Sequence, residues 1–218
     1  MTRRLVIPCL FLMGFVCSVL SAAEPFDLVI RNGRIVDGTG NPWFYGDLAI
    51  RGKRIVAVGR ISADAPSKQV IDATGLVVSP GFIDIHSHSD TLLLEDGSAH
   101  SKIRQGVTTQ VLGEADSAGP ASGQLPVRKQ VVGDRTLQWK TLGEYFDTLD
   151  HEGIAVNVAS YVGLGTVWRC VMGDSFERPR PEQLAQMRVL VRQAMSEDRK
   201  STRLNSSHIP LSRMPSSA

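Results

Sequence analysis

The sequence predicts an α/β protein in which a small all-β unit is followed by a parallel sheet with helices between its strands. Three apolar runs are each long enough for a buried strand, at residues 76–88, 107–112 and 154–162. Apolar residues at helical spacing follow these runs, at residues 98–105, 142–151 and 181–195. Buried strands that alternate with helices are typical of a parallel sheet covered on both faces.

The residues before the first apolar run predict the all-β unit. Short runs rich in β-branched residues lie at residues 28–36, 46–51, 54–58 and 69–73. Glycine-containing turns interrupt them at Asn32-Gly33 and at Arg51-Gly52-Lys53, which is typical of hairpins. We therefore assign residues 24–75 to the all-β unit and residues 76–198 to the parallel α/β unit.

Residues 121–139 interrupt the alternation of strands and helices. They show no clear period and contain glycine, proline and charged residues, so we expect an insertion that lies on the surface. The next helix is predicted to end at Gly153 and the last helix to begin at Pro181, because these residue types favour helix ends and helix starts respectively.

The first 23 residues predict a cleaved secretory signal. Arg3 and Arg4 precede an apolar stretch at residues 5–20, and a run of small residues ends at Ala23. A membrane anchor is the alternative, but the stretch is short for a helix that spans a bilayer. The signal predicts export to the periplasm or out of the cell. Without it, 22 of the 24 basic residues remain against 22 acidic ones, a balance that favours neither nucleic acid nor an anionic membrane as a partner.

The mature chain is predicted to retain a single cysteine. Cys9 and Cys17 leave with the signal and Cys170 remains, which excludes an intrachain disulfide. Because Cys170 lies among apolar residues, we expect a small buried side chain rather than a metal ligand or a nucleophile.

Residues 199–218 differ abruptly in composition from the chain before them. The stretch is basic and rich in serine, and it contains no acidic residue. It interrupts the last predicted helix, so we expect a tail that is not native to the protein and a chain that is truncated. A disordered native terminus is the alternative. We expect a polypeptide truncated in this way to be poorly folded and inactive, while the parent gene encodes the active protein.

The first apolar run ends at two histidines separated by one residue. Successive side chains of a strand point to opposite faces, so His86 and His88 are predicted to project to the same side. A divalent metal is the commonest use of paired neutral imidazoles. Asp84 and Asp90 keep the same parity, and one of them is expected to orient an imidazole. The alternative is a polar, solvated strand end.

Four segments of the chain resemble the amidohydrolase superfamily and, within it, the N-acyl-D-amino-acid deacylases, or D-aminoacylases. These segments are residues 27–38, 81–90, 106–113 and 157–163. The resemblance implies the N-terminal portion of a metal-dependent (β/α)8 barrel, preceded by half of a small β-sandwich domain. It also implies one or two Zn²⁺ ions and hydrolysis of small-molecule amides, N-acyl-D-amino acids above all, by metal-activated water. The general base is expected late in a complete barrel, outside this chain.

The resemblance draws attention to the loop after the second apolar run. D-Aminoacylases are expected to carry Gly-Asn-Cys-Gly there, with the cysteine as a ligand, whereas this chain has Gly113-Glu114-Ala115-Asp116. A carboxylate is an acceptable zinc ligand, so we expect Glu114 to join His86 and His88, with Asp116 as the second choice and a solvated loop acid as the alternative. The other candidates, for orienting ligands or contacting substrate, are Asp90, Asp116 and Ser117.

Two other functions stay open. A cyclic amidohydrolase of the hydantoinase or dihydroorotase type usually recruits a carbamylated lysine from the fourth barrel strand, which this chain does not include. A catalytically silent fragment, or a β-rich binding module, would hydrolyse no substrate. Zinc content and hydrolysis of N-acetyl-D-amino acids by the full-length gene product separate these possibilities.

Overall fold

A computed structural model describes residues 24–197, which fall into two compact units divided between Pro80 and Gly81. The predicted signal at residues 1–23 and the predicted tail at residues 199–218 lie outside the described residues. Within residues 24–197, no helix is both long enough and apolar enough to cross a lipid bilayer.

The first unit is a mixed sheet of five strands. They are β1 (Phe26–Ile35), β2 (Phe44–Arg51), β3 (Arg54–Gly59), β4 (Ser67–Asp72) and β5 (Val77–Val78). The order is β3-β2-β1-β4, and β5 also pairs with β1. β2 runs antiparallel to β1 and β3, whereas β4 and β5 lie parallel to β1. Each β-branched run of the sequence corresponds to a strand, and the unit extends beyond residue 75, where the sequence placed its end.

Asn32-Gly33 is a bulge within β1 rather than the predicted turn. The pairing of β1 with β2 shifts register between Ile30 and Gly33, and Asn32 has a left-handed φ of 61°. The Asn32 N–H donates a hydrogen bond to Asp47 Oδ1 over 2.9 Å, so the displaced amide is satisfied. The other predicted turn, Arg51-Gly52-Lys53, does connect β2 to β3.

The second unit is α/β. Its elements are β6 (Phe82–Asp84), α1 (Leu92–Glu95), α2 (His100–Ile103), β7 (Val107–Leu112), β8 (Arg128–Val132), β9 (Arg135–Trp139), α3 (Leu142–Glu152), β10 (Asn157–Ser160), α4 (Leu164–Met172) and α5 (Pro181–Glu197). Strands β10, β7 and β6 form a parallel sheet in that order, and β8 and β9 form an antiparallel hairpin. Helices lie between the parallel strands along the chain, so the predicted α/β class is confirmed.

The apolar run at residues 76–88 is two strands in two different sheets, so the prediction of a single strand was wrong. Val77–Val78 pairs with β1, whereas Phe82–Asp84 pairs with β7. Gly81 stands between them because a Cβ atom at this position would lie 2.0 Å from Thr108 Oγ1, far inside van der Waals contact. An apolar run does not by itself show which sheet a strand joins.

Residues 121–139 contain an ordered hairpin, which corrects the prediction of an irregular surface insertion. β8 and β9 pair along their full lengths, and Gly133-Asp134 forms the connecting turn, with Gly133 at a φ of 61°. Trp139 is buried, and its indole N–H donates a hydrogen bond to the Ala118 carbonyl over 2.8 Å. The end of the hairpin therefore belongs to the core.

Helix α3 lies at the centre of that core. Thr141 and Glu144 form a capping box at its start, in which each side chain accepts a hydrogen bond from the backbone of the other. Gly153 caps the end of the helix, as predicted. Its apolar face contacts α1, β9 and α5. The large buried side chains around this face are Leu112, Trp139, Leu142, Tyr145, Phe146 and Leu149.

Helix α4 was not predicted from the sequence. It starts directly after β10 within Gly163-Leu164-Gly165, and glycine has a low helix propensity, which obscures the pattern. Its buried residues include Val167 and Cys170. The thiol of Cys170 is free and buried, so the prediction of a small buried side chain is confirmed.

Candidate metal centre

His86 and His88 lie side by side just beyond the carboxyl end of β6. Their Nε2 atoms are 2.9 Å apart, and their ring centroids are 4.9 Å apart with the ring planes inclined at 69°. Both side chains are exposed, whereas Ser87 between them is buried. The structure therefore brings together the two imidazoles that the sequence singled out.

The geometry of a regular strand does not explain this proximity. β6 ends at Asp84, and the chain bends at Ile85-His86 before both histidines are reached. Beyond the bend, the Ser87 N–H donates a hydrogen bond to the Val111 carbonyl over 3.0 Å, so the segment still runs alongside β7. The common side of the two rings thus comes from an extended segment after the strand.

Glu114 contacts the other ring nitrogen of His86. It follows Gly113, whose φ of 80° turns the chain at the end of β7, and its Oε2 atom lies 2.8 Å from His86 Nδ1. A proton on Nδ1 leaves the lone pair of this ring on Nε2, which is the atom that faces His88. A carboxylate this close to Nδ1 favours a proton there, which is the tautomer that coordination through Nε2 requires.

The donors suit a zinc ion. Zn–N bonds are about 2.0–2.1 Å long, so one ion can contact two nitrogens that lie 2.9 Å apart. Two imidazole lone pairs at this distance repel each other unless a proton or a cation lies between them. Within residues 24–197, no group of three or more His, Cys, Asp or Glu side chains is arranged to hold a metal ion. The described residues thus supply two nitrogen donors and an orienting carboxylate, and Glu114 as a direct ligand stays a prediction.

Asp84 contacts the backbone of His86 rather than an imidazole ring, which leaves Asp90 as the candidate of the two for orienting an imidazole. Its Oδ1 atom accepts a hydrogen bond from the His86 N–H over 3.2 Å, and its Oδ2 atom accepts one from Lys102 Nζ over 2.5 Å. The Lys102 ammonium holds the pKa of Asp84 below its ordinary value. Asp84 is therefore ionised at neutral pH.

Asp90 is half-buried, and its Oδ1 atom has no hydrogen-bond partner within the part of the chain that the structure describes. Burial raises the pKa of this carboxyl above its ordinary value. The backbone carbonyl of Asp90 accepts a hydrogen bond from the buried Tyr145 hydroxyl over 2.7 Å. A role for the Asp90 carboxylate in orienting an imidazole stays a prediction.

Asp116 and Ser117 are engaged in holding the loop after β7. Asp116 Oδ1 lies 2.6 Å from Arg169 Nη2, in an ion pair with α4. The Ser117 hydroxyl is buried, donates to the Gly119 carbonyl and accepts a hydrogen bond from the Gly163 N–H over 2.9 Å. These contacts join the loop to the end of β10, and a direct contact of either residue with substrate stays a prediction.

Gln110 is a residue of this site that the sequence analysis missed. It is fully buried on β7, and its Oε1 atom accepts hydrogen bonds from the hydroxyls of Ser87 and Ser89. The signal in the sequence was a single amide side chain within the apolar run Val107–Leu112. Long polar side chains are rarely buried, so this one indicated a role beyond packing. A cleft of about 510 Å³ borders this cluster and both histidines.

Comparison with known proteins places these features in a family. Residues 69–209 match the model of the amidohydrolase family. The D-aminoacylase of Alcaligenes xylosoxydans xylosoxydans is 38% identical over 179 residues, which cover 81% of this chain and 37% of that protein. The chain thus spans little more than a third of the length of this relative.

Two solved structures resemble the chain at a TM-score of 0.69, each over 79% of this chain and 37% of the other. One is the N-acyl-D-glutamate deacylase of Bordetella bronchiseptica, 33% identical, in complex with zinc and a phosphonate inhibitor that mimics the tetrahedral intermediate of the reaction. The other is a D-aminoacylase, 35% identical, whose binuclear metal centre is activated by one metal and attenuated by the second.

Proposed function

Because this chain belongs to the amidohydrolase family, we propose that its protein is a zinc-dependent hydrolase that deacylates N-acyl-D-amino acids. One observation carries the proposal: two imidazoles meet beyond a strand end, one of them oriented by Glu114, in a chain 38% identical to a D-aminoacylase. The phosphonate bound to the related deacylase supports amide hydrolysis, because water attack on an amide carbonyl gives a tetrahedral intermediate of the kind that it mimics.

His86 and His88 are the residues that hold the metal in this proposal, through their Nε2 atoms. Zinc supplies Lewis-acid polarisation of the scissile carbonyl and lowers the pKa of water to about 7. The Glu114 carboxylate, 2.8 Å from His86 Nδ1, favours the Nδ1–H tautomer. Asp84, paired with Lys102, holds the backbone N–H of His86. These contacts direct the nitrogen lone pairs before substrate arrives, so the site is organised in advance.

The proposal extends to the fold of the whole protein. Strands β6, β7 and β10 are proposed as the first three strands of a (β/α)8 barrel, and the first unit as half of a small β-sandwich. In such barrels the active site lies at the carboxyl ends of the strands. His86 and Glu114 follow the carboxyl ends of the neighbouring strands β6 and β7. The remaining ligands and the general base are proposed to come from the part of the relatives that this chain does not span.

Location and partners complete the proposal. Residues 1–23 are proposed to direct export to the periplasm or out of the cell. The substrate is a small N-acyl amino acid, as the names of the related deacylases indicate, and the centre holds one or two zinc ions. No nucleic acid or membrane partner is proposed.

Hydrolysis by the complete gene product tests the proposal. N-acetyl-D-amino acids, their L-enantiomers and a hydantoin are offered in parallel, before and after removal of zinc by a chelator. We expect free D-amino acid to be released, the release to stop on chelation, and zinc to restore it. Ring opening of the hydantoin without deacylation would favour the cyclic amidohydrolase instead, and a protein that binds zinc but hydrolyses nothing would contradict both.

Matched histidine variants tie that activity to the site. Loss of residues behind metal ligands typically costs about 10–100-fold in metal affinity or activity, so removing a ligand should cost more. We therefore expect His86→Ala and His88→Ala each to lower zinc affinity by more than about 100-fold. His100→Ala is the control, because His100 is exposed on α2. Equal zinc affinity in the two variants and the control would refute the assignment of His86 and His88 as metal ligands.

A further inference from the structure

We infer that Gln110 is a positioning residue that sets the spacing of His86 and His88 from behind. The inference rests on the proposed metal centre and adds a residue that contacts neither metal nor substrate. It starts from a cluster of three polar side chains on the buried side of the histidine segment, formed by Gln110, Ser87 and Ser89.

The cluster is compact, and two of its three side chains are buried. The hydroxyls of Ser87 and Ser89 each donate to Gln110 Oε1 over 2.7 Å, and the two hydroxyl oxygens are 2.6 Å apart. Ser87 is 3% exposed and Gln110 is fully buried. Three polar side chains thus meet at one point behind a segment whose histidines are exposed.

Alternation of side chains connects this point to the metal centre. The segment reads His86-Ser87-His88-Ser89, so one serine lies between the two histidines and the other follows them. Holding both serine side chains at one oxygen restricts the backbone of the residues between and beside them. His88 lies between the two held residues, and the distance from its ring to that of His86 is restricted in turn.

Other contacts hold the two ends of the segment. The His86 N–H donates to Asp84 Oδ1 over 3.2 Å, and the Asp90 carbonyl accepts a hydrogen bond from the Tyr145 hydroxyl over 2.7 Å. Gln110 acts between these ends, from β7 in the middle of the parallel sheet. A strand buried in the centre of a sheet is a rigid element from which to position a ligand.

Packing alone does not account for an amide at this position. The Nε2 atom of Gln110 is buried and has no hydrogen-bond partner among residues 24–197, and a buried unsatisfied donor is unfavourable. The next residues of the strand, Val111 and Leu112, are buried and apolar. An apolar side chain would fill the same space without an unpaired donor, so the amide is explained by the two serines that its oxygen holds.

Gln110→Met in the complete gene product tests this inference, because methionine matches the length of glutamine and accepts no strong hydrogen bond. We expect zinc affinity to fall by about 10–100-fold, as for other residues behind metal ligands. The absorption spectrum of the Co²⁺-substituted protein should change as well, since it reports ligand geometry. The unfolding midpoint without metal should change little, because the substitution removes an unpaired buried donor together with the acceptor of two hydroxyls, which can then bond to each other. Gln138→Met, on the exposed face of β9, is the matched control and should alter none of the three readouts.

Serine variants make the test independent of the glutamine. Ser89→Ala is expected to lower zinc affinity, and Ser89→Thr to restore it, because threonine keeps the hydroxyl. Combining Ser89→Ala with Gln110→Met should lower affinity by less than the product of the two separate factors, since both changes remove the same contact. If Gln110→Met fails to fold, the Ser89 pair decides: equal affinity in the alanine and threonine variants would overturn the inference.

The His86→Ala protein separates failure of this inference from failure of the proposed function. If Gln110→Met keeps the wild-type affinity and Co²⁺ spectrum while His86→Ala loses both, Gln110 does not position the pair and the metal centre stands. If His86→Ala also keeps both, the metal is not bound by this pair, and the inference falls with the proposal on which it rests.

Discussion

Removing the hydroxyl of Tyr145 is expected to destabilise the protein without opening a cavity. The side chain is fully buried, and its ring centroid lies 5.4 Å from that of Trp139 and 5.8 Å from that of Phe146. Phenylalanine keeps the ring, so Tyr145→Phe deletes only the hydrogen bond of 2.7 Å to the Asp90 carbonyl. That bond holds the backbone two residues beyond His88.

The magnitude follows from the acceptor that is left behind. A buried group that loses its hydrogen-bond partner costs about 1–3 kcal/mol, whereas truncating the whole ring would cost about 3–5 kcal/mol. In a protein of roughly 150–250 residues each 1 kcal/mol lowers Tm by about 2–4 °C, and the shift is smaller in a longer protein. We therefore expect Tyr145→Phe to lower the Tm of the complete gene product by a few degrees, less than the roughly 2–12 °C of a protein of this chain's length.

The pH dependence of this difference has a definite sign. Burial raises the pKa of Tyr145 above its ordinary value, so the folded state keeps the proton to higher pH than the unfolded state does. Below about pH 10 both states are protonated and the difference between the proteins is constant. Above that pH Tyr145 ionises in the unfolded wild-type chain and stabilises the unfolded state. The free energy of unfolding of the wild type should therefore approach that of Tyr145→Phe.

Thermal unfolding followed by circular dichroism, repeated at several pH values, measures this difference. Tyr161→Phe is the control, because Tyr161 is 40% exposed and a surface change is usually worth less than about 0.5 kcal/mol. An unchanged Tm in Tyr145→Phe would show that the Asp90 carbonyl is satisfied in another way, and it would refute the account of this contact.

Two further substitutions test the loop and the helix beside the site. Gly113→Ala places a Cβ atom 2.3 Å from the Tyr161 carbonyl oxygen in a left-handed conformation that alone costs about 1–2 kcal/mol. We expect it to lower both stability and zinc affinity by displacing Glu114, and wild-type zinc binding would contradict this. Thr141→Ala removes the capping box of α3 and should lower the free energy of unfolding in urea by about 0.5–2 kcal/mol. The exposed Thr136→Ala serves as its control, and equal midpoints would show that the cap contributes nothing.

Elements with one strong periodic pattern were predictable from the sequence. The apolar run at residues 107–112 is β7 to the residue, and the spacing at residues 142–151 gave α3 within one residue at its end. The run at residues 76–88 misled because hydrophobicity reports burial and not the sheet in which a strand is buried. Gly133-Asp134 was a hairpin signal between two short strands, and it was obscured by the polar residues around it.

The candidate site was predictable in its residues more than in its geometry. The spacing of His86 and His88 indicated that they meet, although the bend after Asp84 replaces the strand that was expected to align them. The contact of Glu114 with His86 Nδ1 depends on the turn at Gly113. A periodic sequence pattern does not predict such a tertiary contact. The ion pair between Asp84 and Lys102 joins a strand to a helix and was likewise hidden.

The hairpin and helix α3 constrain any redesign of substrate preference. Trp139 Nε1 donates to the Ala118 carbonyl in the loop after β7, and the Tyr145 hydroxyl donates to the Asp90 carbonyl after β6. Both acceptors are main-chain atoms, so these two attachments depend on the loop lengths and the carbonyl positions and not on the side chains of Ala118 and Asp90. A minimal scaffold that deleted residues 121–139 would release the first of these attachments. Loop grafts from relatives should therefore be exchanged together with the hairpin that holds them.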